Sequence, residues 1–251
     1  MSASYATIGI LLVRLALLAV RGCEGADPSI PHTHSGSFTK YERLRPNKVG
    51  FTVDQTMENK LLEGPIVTVQ HLPDNILRTA SVQNVAAPPE IVWGLLLDFD
   101  TYHQRVEGIK ICKVYSKKWT LGGTQVICAD YTARIGTFNV RYFMEHTYEP
   151  IKNSMTWALD YSRRSDLHDS VGYWYVESHN GGSRVFYTTD ALLPPWIPSP
   201  IKNAFANRAM RRNVARLEPA CLEAMARRKG KGGGLGFKRG PLQGFGRSKA
   251  S

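Results

Sequence analysis

Six segments between Lys110 and Leu193 alternate apolar with polar residues at a period of two, and the chain that follows offers one long helix to cover the apolar face they create. "KICKVYSKKW" (110–119) and "TQVICADYTARI" (124–135) flank a Gly122-Gly123 turn, and in the second Ile127, Ala129, Tyr131, Ala133 and Ile135 share one face. "TFNVRYFMEHTYEP" (137–150) sets Phe138, Val140, Tyr142 and Met144 against Asn139, Arg141 and Glu145. "SMTWALDY" (154–161) sets Met155, Trp157, Leu159 and Tyr161 against Ser154, Thr156, Ala158 and Asp160. "DSVGYWYVES" (169–178) and "SRVFYTTDALL" (183–193) are joined by "HNGG", a hairpin turn. Strands so spaced form a meandering antiparallel sheet with one apolar face.

The prolines of "PPWIPSP" (194–200) stop the last strand, and a helix is predicted from about Ile201 to Arg228. Its apolar seam runs through Met210, Val214, Leu217, Cys221 and Ala224. Extended backward, the seam meets Ala206 and Asn203 instead of Phe205 and Ile201, so either the first turns bend away or those two residues face something other than the sheet. Ahead of the meander, "EGPIVTVQHLP" (63–73) and "NILRTASVQNVAA" (75–87) read as strands. A short helix follows, opened by Pro88 and Pro89, where a missing N–H costs nothing, and by Glu90 at the positive end of the dipole. Ile91, Val92, Leu95 and Leu96 form its stripe, which Trp93 extends. The class is α+β: a curved antiparallel sheet wrapped around a long C-terminal helix, with a short helix after the early strands. One helix cannot lie flat over so wide a sheet, and a gap between them is where a ligand would go.

Charge divides the chain. From Pro200 onward there are 13 Lys and Arg against Glu218 and Glu223, whereas residues 1–199 balance 19 basic with 19 acidic residues, so the net +11 belongs to the C-terminal end. Residues 1–26 read as a targeting leader, with "IGILLVRLALLAV" (8–20) apolar and small residues in "RGCEGA" offering a cut before Asp27. A run of thirteen residues, interrupted by Arg14, is short for a membrane span. The leader points to the secretory pathway or the extracellular space. Arg14 and the lack of acid before Glu24 also suit a mitochondrial presequence, and a plastid leader shares these traits. Residues 27–60 read as an irregular arm, 61–229 as the domain, and 230–251 as a disordered basic, Gly-rich tail.

Outside the leader stand Cys112, Cys128 and Cys221, with no CxxC pair and no zinc spacing, so neither a metal nor another cofactor is expected. A hairpin turning near "KKWTLGGT" would set Cys112 and Cys128 nearly opposite on one face, as a cross-strand disulfide or as two buried thiols. The acid–base candidates are His103, His146, Asp130 and Asp98, and none belongs to a Ser/His/Asp set or a paired-carboxylate motif. No catalytic residue is assigned, and binding without chemistry is the first reading.

The stretch Val85–Tyr102, of the form I/V-x-A-P-x-E-x-V-W-x-L-L-x-D-F-x-x-Y, and the closing "LLPPWIPSPIKNAF…RRNVARLE" resemble the START-like (SRPBCC, helix-grip) superfamily. The nearest likeness is to its polyketide cyclase/dehydrase and lipid-transport group, which includes coenzyme Q-binding proteins, and it covers about residues 63–228. One departure is "YHQRVEGI", which puts His103, Arg105 and Glu107 where coenzyme Q-binding members carry aromatic residues and proline. The resemblance implies a cavity for an apolar small molecule, a lipid or a prenylated quinone. On this basis Trp93, Leu96, Tyr131, Tyr142, Met144, Trp157, Leu159, Tyr173, Phe186 and Phe205 are its expected lining, with Trp196 and Ile197 as a gate. Arg208, Arg211, Arg212 and Arg216 are expected to face an anionic membrane. A nucleic-acid partner is disfavoured, since no basic motif interleaved with aromatics supports one. An aromatase/cyclase using the same cavity, and an interaction module with a filled core, remain alternatives.

Overall fold

The structure is a computed structural model describing residues 25–29, 53–72 and 76–232, with side chains as far as Arg228. The leader up to residue 24, most of the arm and the tail beyond Gly232 lie outside the described residues. Eight strands form one antiparallel sheet: β1 (Ile66–His71), β2 (Leu77–Val85), β3 (Ile109–Trp119), β4 (Gln125–Ile135), β5 (Phe138–Glu149), β6 (Ser154–Leu159), β7 (Asp169–His179) and β8 (Gly182–Leu192). Their order is β1-β2-β8-β7-β6-β5-β4-β3, so β3 to β8 run as a meander and β2 closes onto β8.

Between β2 and the far edge strand β3 the chain forms a short helix and two single turns. Two helices precede and follow the sheet. In chain order they are α1 (Gln55–Glu63), α2 (Pro89–Leu96), α3 (Tyr102–Arg105, after a 3-10 turn at Phe99–Thr101) and α4 (Ser199–Gly232). Proline sits in the first turn of α2, whose Ile91, Val92, Trp93 and Leu96 are buried.

Register fixes two faces. Along one row across the sheet, Met144 pairs with Ala129 on β4 and Leu159 on β6, and the next concave row joins Ile127, His146, Trp157 and Gly172. This concave face, with α2 and α4, holds the main core. The convex face carries a second cluster of Ala80, Val82, Val171, Tyr173 and Phe186, closed by Leu61 and Met57 of α1. The arm expected to be irregular therefore ends in a helix. Asp54 caps it by accepting from the Met57 N–H at 2.8 Å, and Glu58 holds Arg184 of β8 through two bonds of 2.7 Å. The fold also reaches ahead of Asp27: Ala26 is buried, donates to the Leu167 carbonyl at 2.8 Å and accepts from the Ser165 N–H at 3.1 Å.

The phase shift in the long helix has a cause. Ala206, Ala209, Val214, Leu217 and Cys221 are buried toward the sheet. Ile201 and Phe205 instead stand over the turns at Gly136 and Gly108, where added β-carbons would lie 2.9 and 3.0 Å from their side chains. Both glycines have positive φ (+62° and +93°), so the turns suit glycine twice over.

The two strand cysteines do not face each other. The β3–β4 loop is Thr120–Thr124, and register shifts fall between Ile109 and Ile111 and between Val114 and Ser116, so Cys112 pairs with Tyr131 and Cys128 with Ser116. Both are free, buried thiols.

Candidate ligand cavity

A cavity of about 330 Å³ lies between the concave face and α4. The concave side is thus not a filled core, and the volume falls at the low end of the range for small-molecule sites, roughly 300–1,000 Å³. Of the expected lining, Leu96, Tyr131, Tyr142, Met144, Trp157 and Phe205 border the cavity.

The other four expected residues stand elsewhere. Trp93 is buried against Tyr148, with ring centroids 4.8 Å apart. Leu159 belongs to the concave core but does not border the cavity. Tyr173 and Phe186 point to the convex face, where α1 covers them, because β7 and β8 present their odd and even residues to opposite sides. Their concave neighbours Trp174 and Tyr187 take the places expected of them, at 4.4 Å from each other, and Tyr187 stands 5.6 Å from Trp157. Tyr131 and Tyr142 stack at 5.2 Å, nearly parallel, on the facing strands β4 and β5.

The expected gate does not border the cavity either. Ile197 is fully buried, and Trp196 meets Phe138 edge-on at 5.3 Å, so this loop anchors the start of α4. The rim is formed instead where α4 meets the α3–β3 turn. Asn213 accepts from the Glu107 N–H at 2.7 Å and donates to the Glu107 carbonyl at 3.3 Å. Arg212 bonds the Glu107 carboxylate at 2.9 Å, and Arg216 approaches it at 3.7 Å. Arg208 and Arg211 are exposed. The departure noted at "YHQRVEGI" thus carries the latch: Glu107 holds α4, and Arg105 donates to the Leu95 and Asp98 carbonyls at 2.9 and 2.8 Å, tying the turn to α2.

Of the four acid–base candidates only His146 reaches the cavity. His103 is exposed on α3, Asp98 accepts from Thr101, and Asp130 pairs with Arg141 on the convex side at 2.7 Å. His146 Nδ1 lies 3.1 Å from the Ile127 carbonyl and must donate there, which makes Nε2 the acceptor of the Tyr131 hydroxyl at 3.3 Å. Burial pushes the His146 pKa down to about 4, so the ring is neutral at pH 7. Burial likewise raises the pKa of Tyr102, Tyr131, Tyr142 and Tyr187, so the cavity wall carries no charge apart from its rim. Among the described residues no group of three His, Cys, Asp or Glu could hold a metal ion.

A family model described as polyketide cyclase/dehydrase and lipid transport matches residues 77–228. Among solved structures, a STAR-related lipid transfer protein from Xanthomonas axonopodis is 18% identical, with 64% of this chain and 94% of that one covered at a TM-score of 0.53. The Zhui aromatase/cyclase from Streptomyces sp. R1128 is 14% identical, with 62% and 98% covered at 0.49. A START superfamily protein from Mycobacterium smegmatis is 16% identical, with 58% and 97% covered at 0.48. These likenesses concern the fold. No curated protein matches the chain.

Proposed function

Since the chain belongs to the polyketide cyclase/dehydrase and lipid transport family, we propose that it binds and carries an apolar small molecule, a lipid or a prenylated quinone, beneath α4. The observation behind this reading is the cavity of about 330 Å³ beneath α4, walled by aromatic and aliphatic side chains and charged only at its rim. A ligand moving there from water gains about 25 cal/mol for each Å² of apolar surface buried. The latch between Glu107, Arg212 and Asn213 is the natural gate, since loosening it frees the helix from the α3–β3 turn. Peripheral contact with an anionic membrane, through exposed Arg208 and Arg211, would bring that rim to the source of cargo. Entry to the secretory pathway, resting on residues 8–20, belongs to the same proposal.

A second reading, an aromatase/cyclase, has one observation in its favour: His146 and Tyr131 form a hydrogen-bonded pair in the cavity wall. As an acid–base group His146 is poorly placed, because Tyr131 occupies its only free lone pair and burial weakens its basicity.

Native mass spectrometry of the full chain from its own host, with lipid extraction from the same sample, tests the proposal. The expected result is a lipid or quinone near one per chain. An empty protein that gains no thermal stability from a panel of lipids and quinones would overturn it. A panel member bound and chemically converted would favour the cyclase.

A further inference from the structure

Among the described residues of the cavity wall, Gln83 holds a buried amide donor with neither a hydrogen bond nor an opposite charge facing it. Gln83 borders the cavity, is 1% exposed, and its Nε2 has no hydrogen-bond partner. Along its row of the sheet its neighbours are Val185 on β8 and Val176 on β7, both fully buried. A buried N–H with no acceptor costs about 1–3 kcal/mol, and any aliphatic residue at this site would avoid the cost. Several other polar groups in the wall are engaged: His146 with Tyr131, Tyr102 with the Leu96 carbonyl, Thr189 with the Val171 carbonyl. At the rim the Glu107 Oε2 also lacks a hydrogen bond but faces the Arg216 guanidinium at 3.7 Å. Gln83 also lies six residues along β2 from Leu77, about 20 Å in an extended strand, so the two mark opposite ends of the cavity.

We infer that Gln83 is the polar anchor of the cavity and that its ligand carries a hydrogen-bond acceptor, a carbonyl or ether oxygen, at one end of an apolar body. The oxygen accepts from the Gln83 amide, and the apolar body extends toward Phe205 and Leu77. This rests on the cavity being the binding site. It adds that the cargo enters polar end first, away from the charged rim at Glu107.

The test uses two neutral probes of equal length, 2-dodecanone and dodecane, each displacing N-phenyl-1-naphthylamine from the full chain and from Gln83→Met. The methionine keeps the length of the side chain and removes its donor. The ratio of ketone to alkane affinity is expected to fall about 5- to 100-fold in the variant, as one restored buried hydrogen bond implies. The variant's thermal midpoint without probe is expected to be unchanged or raised, because an unpaired donor has gone. An unchanged ratio overturns the inference and means that water satisfies the amide, while leaving the cavity as the binding site. Failure of both probes to bind either protein overturns the cavity reading itself. Should the variant not fold, the infrared carbonyl band of 2-dodecanone bound to the wild-type chain decides. A shift to lower frequency than in hexane is expected, and an unshifted band overturns the anchor.

Discussion

Phe205 rests on Gly108: a β-carbon at that glycine would lie 3.0 Å from the ring, and the backbone there has φ +93°. The contact places the first turns of the covering helix on the turn that begins the edge strand, beside the Glu107 latch. Closure of the cavity therefore depends on the shape of a turn as much as on the helix seam.

Gly108→Ala meets both a strained backbone and a crowded ring. It is expected to cost about 1–3 kcal/mol and to speed release of bound N-phenyl-1-naphthylamine. Urea unfolding and stopped-flow dissociation measure the two effects.

Asn213→Ala removes both bonds to the Glu107 backbone and is expected to cost about 1–2 kcal/mol. Glu107→Gln leaves that clasp and weakens only a partly exposed ion pair, for less than about 1 kcal/mol. Denaturant midpoints at low and high salt separate them: only the difference between wild type and Glu107→Gln shrinks with salt.

His146 makes stability depend on pH in a fixed direction. An unfolded histidine titrates near 6.5, whereas here burial lowers the value to about 4. As the pH falls, the unfolded chain takes the proton first. The contribution is thus complete above about 6.5 and lost on descent toward 4, by at most about 3 kcal/mol. His168, also lowered by burial, acts in the same sense. Thermal unfolding at pH 7 and pH 5 should show the loss, and His146→Phe should reduce it.

Gly172 leaves room for the Trp157 ring: a β-carbon there would lie 2.3 Å from the indole and 2.4 Å from the Thr188 carbonyl oxygen. Gly172→Ala should force Trp157 toward the cavity. Expected are about 1–3 kcal/mol of destabilisation and weaker probe binding, read by unfolding curves and titration.

The sequence exposes the concave faces of β4, β5 and β6 because their other sides are mixed or polar, as with Asn139, Arg141 and Glu145. On β7 and β8 that sign is lost. Val171 and Tyr173 are buried under α1 while Gly172 and Trp174 face the other way, so alternation cannot say which side looks inward. The helix responsible, "QTMENKLLE", has few apolar residues and only nine in all, too short to announce itself by period. The offset of Cys112 from Cys128 escapes for another reason: a five-residue loop and two register shifts change the pairing without changing the pattern. Gln83 looks like any polar residue of a strand until the valines beside it and the space before it are known.

The pairing of β2 with β8 has a consequence for the order in which the chain is made. Leu77 lies opposite Ala191, more than a hundred residues later, and α4 comes later still. The hairpins from β3 onward can form as they emerge from the ribosome, but the chamber has no roof until synthesis is nearly finished. Until then Tyr131, Trp157, Trp174 and Tyr187 form an open aromatic surface, at risk of capture by neighbouring chains. Under the proposed carrier role, cargo present at that moment would act as a template for closure, and newly made and mature protein would then load by different routes.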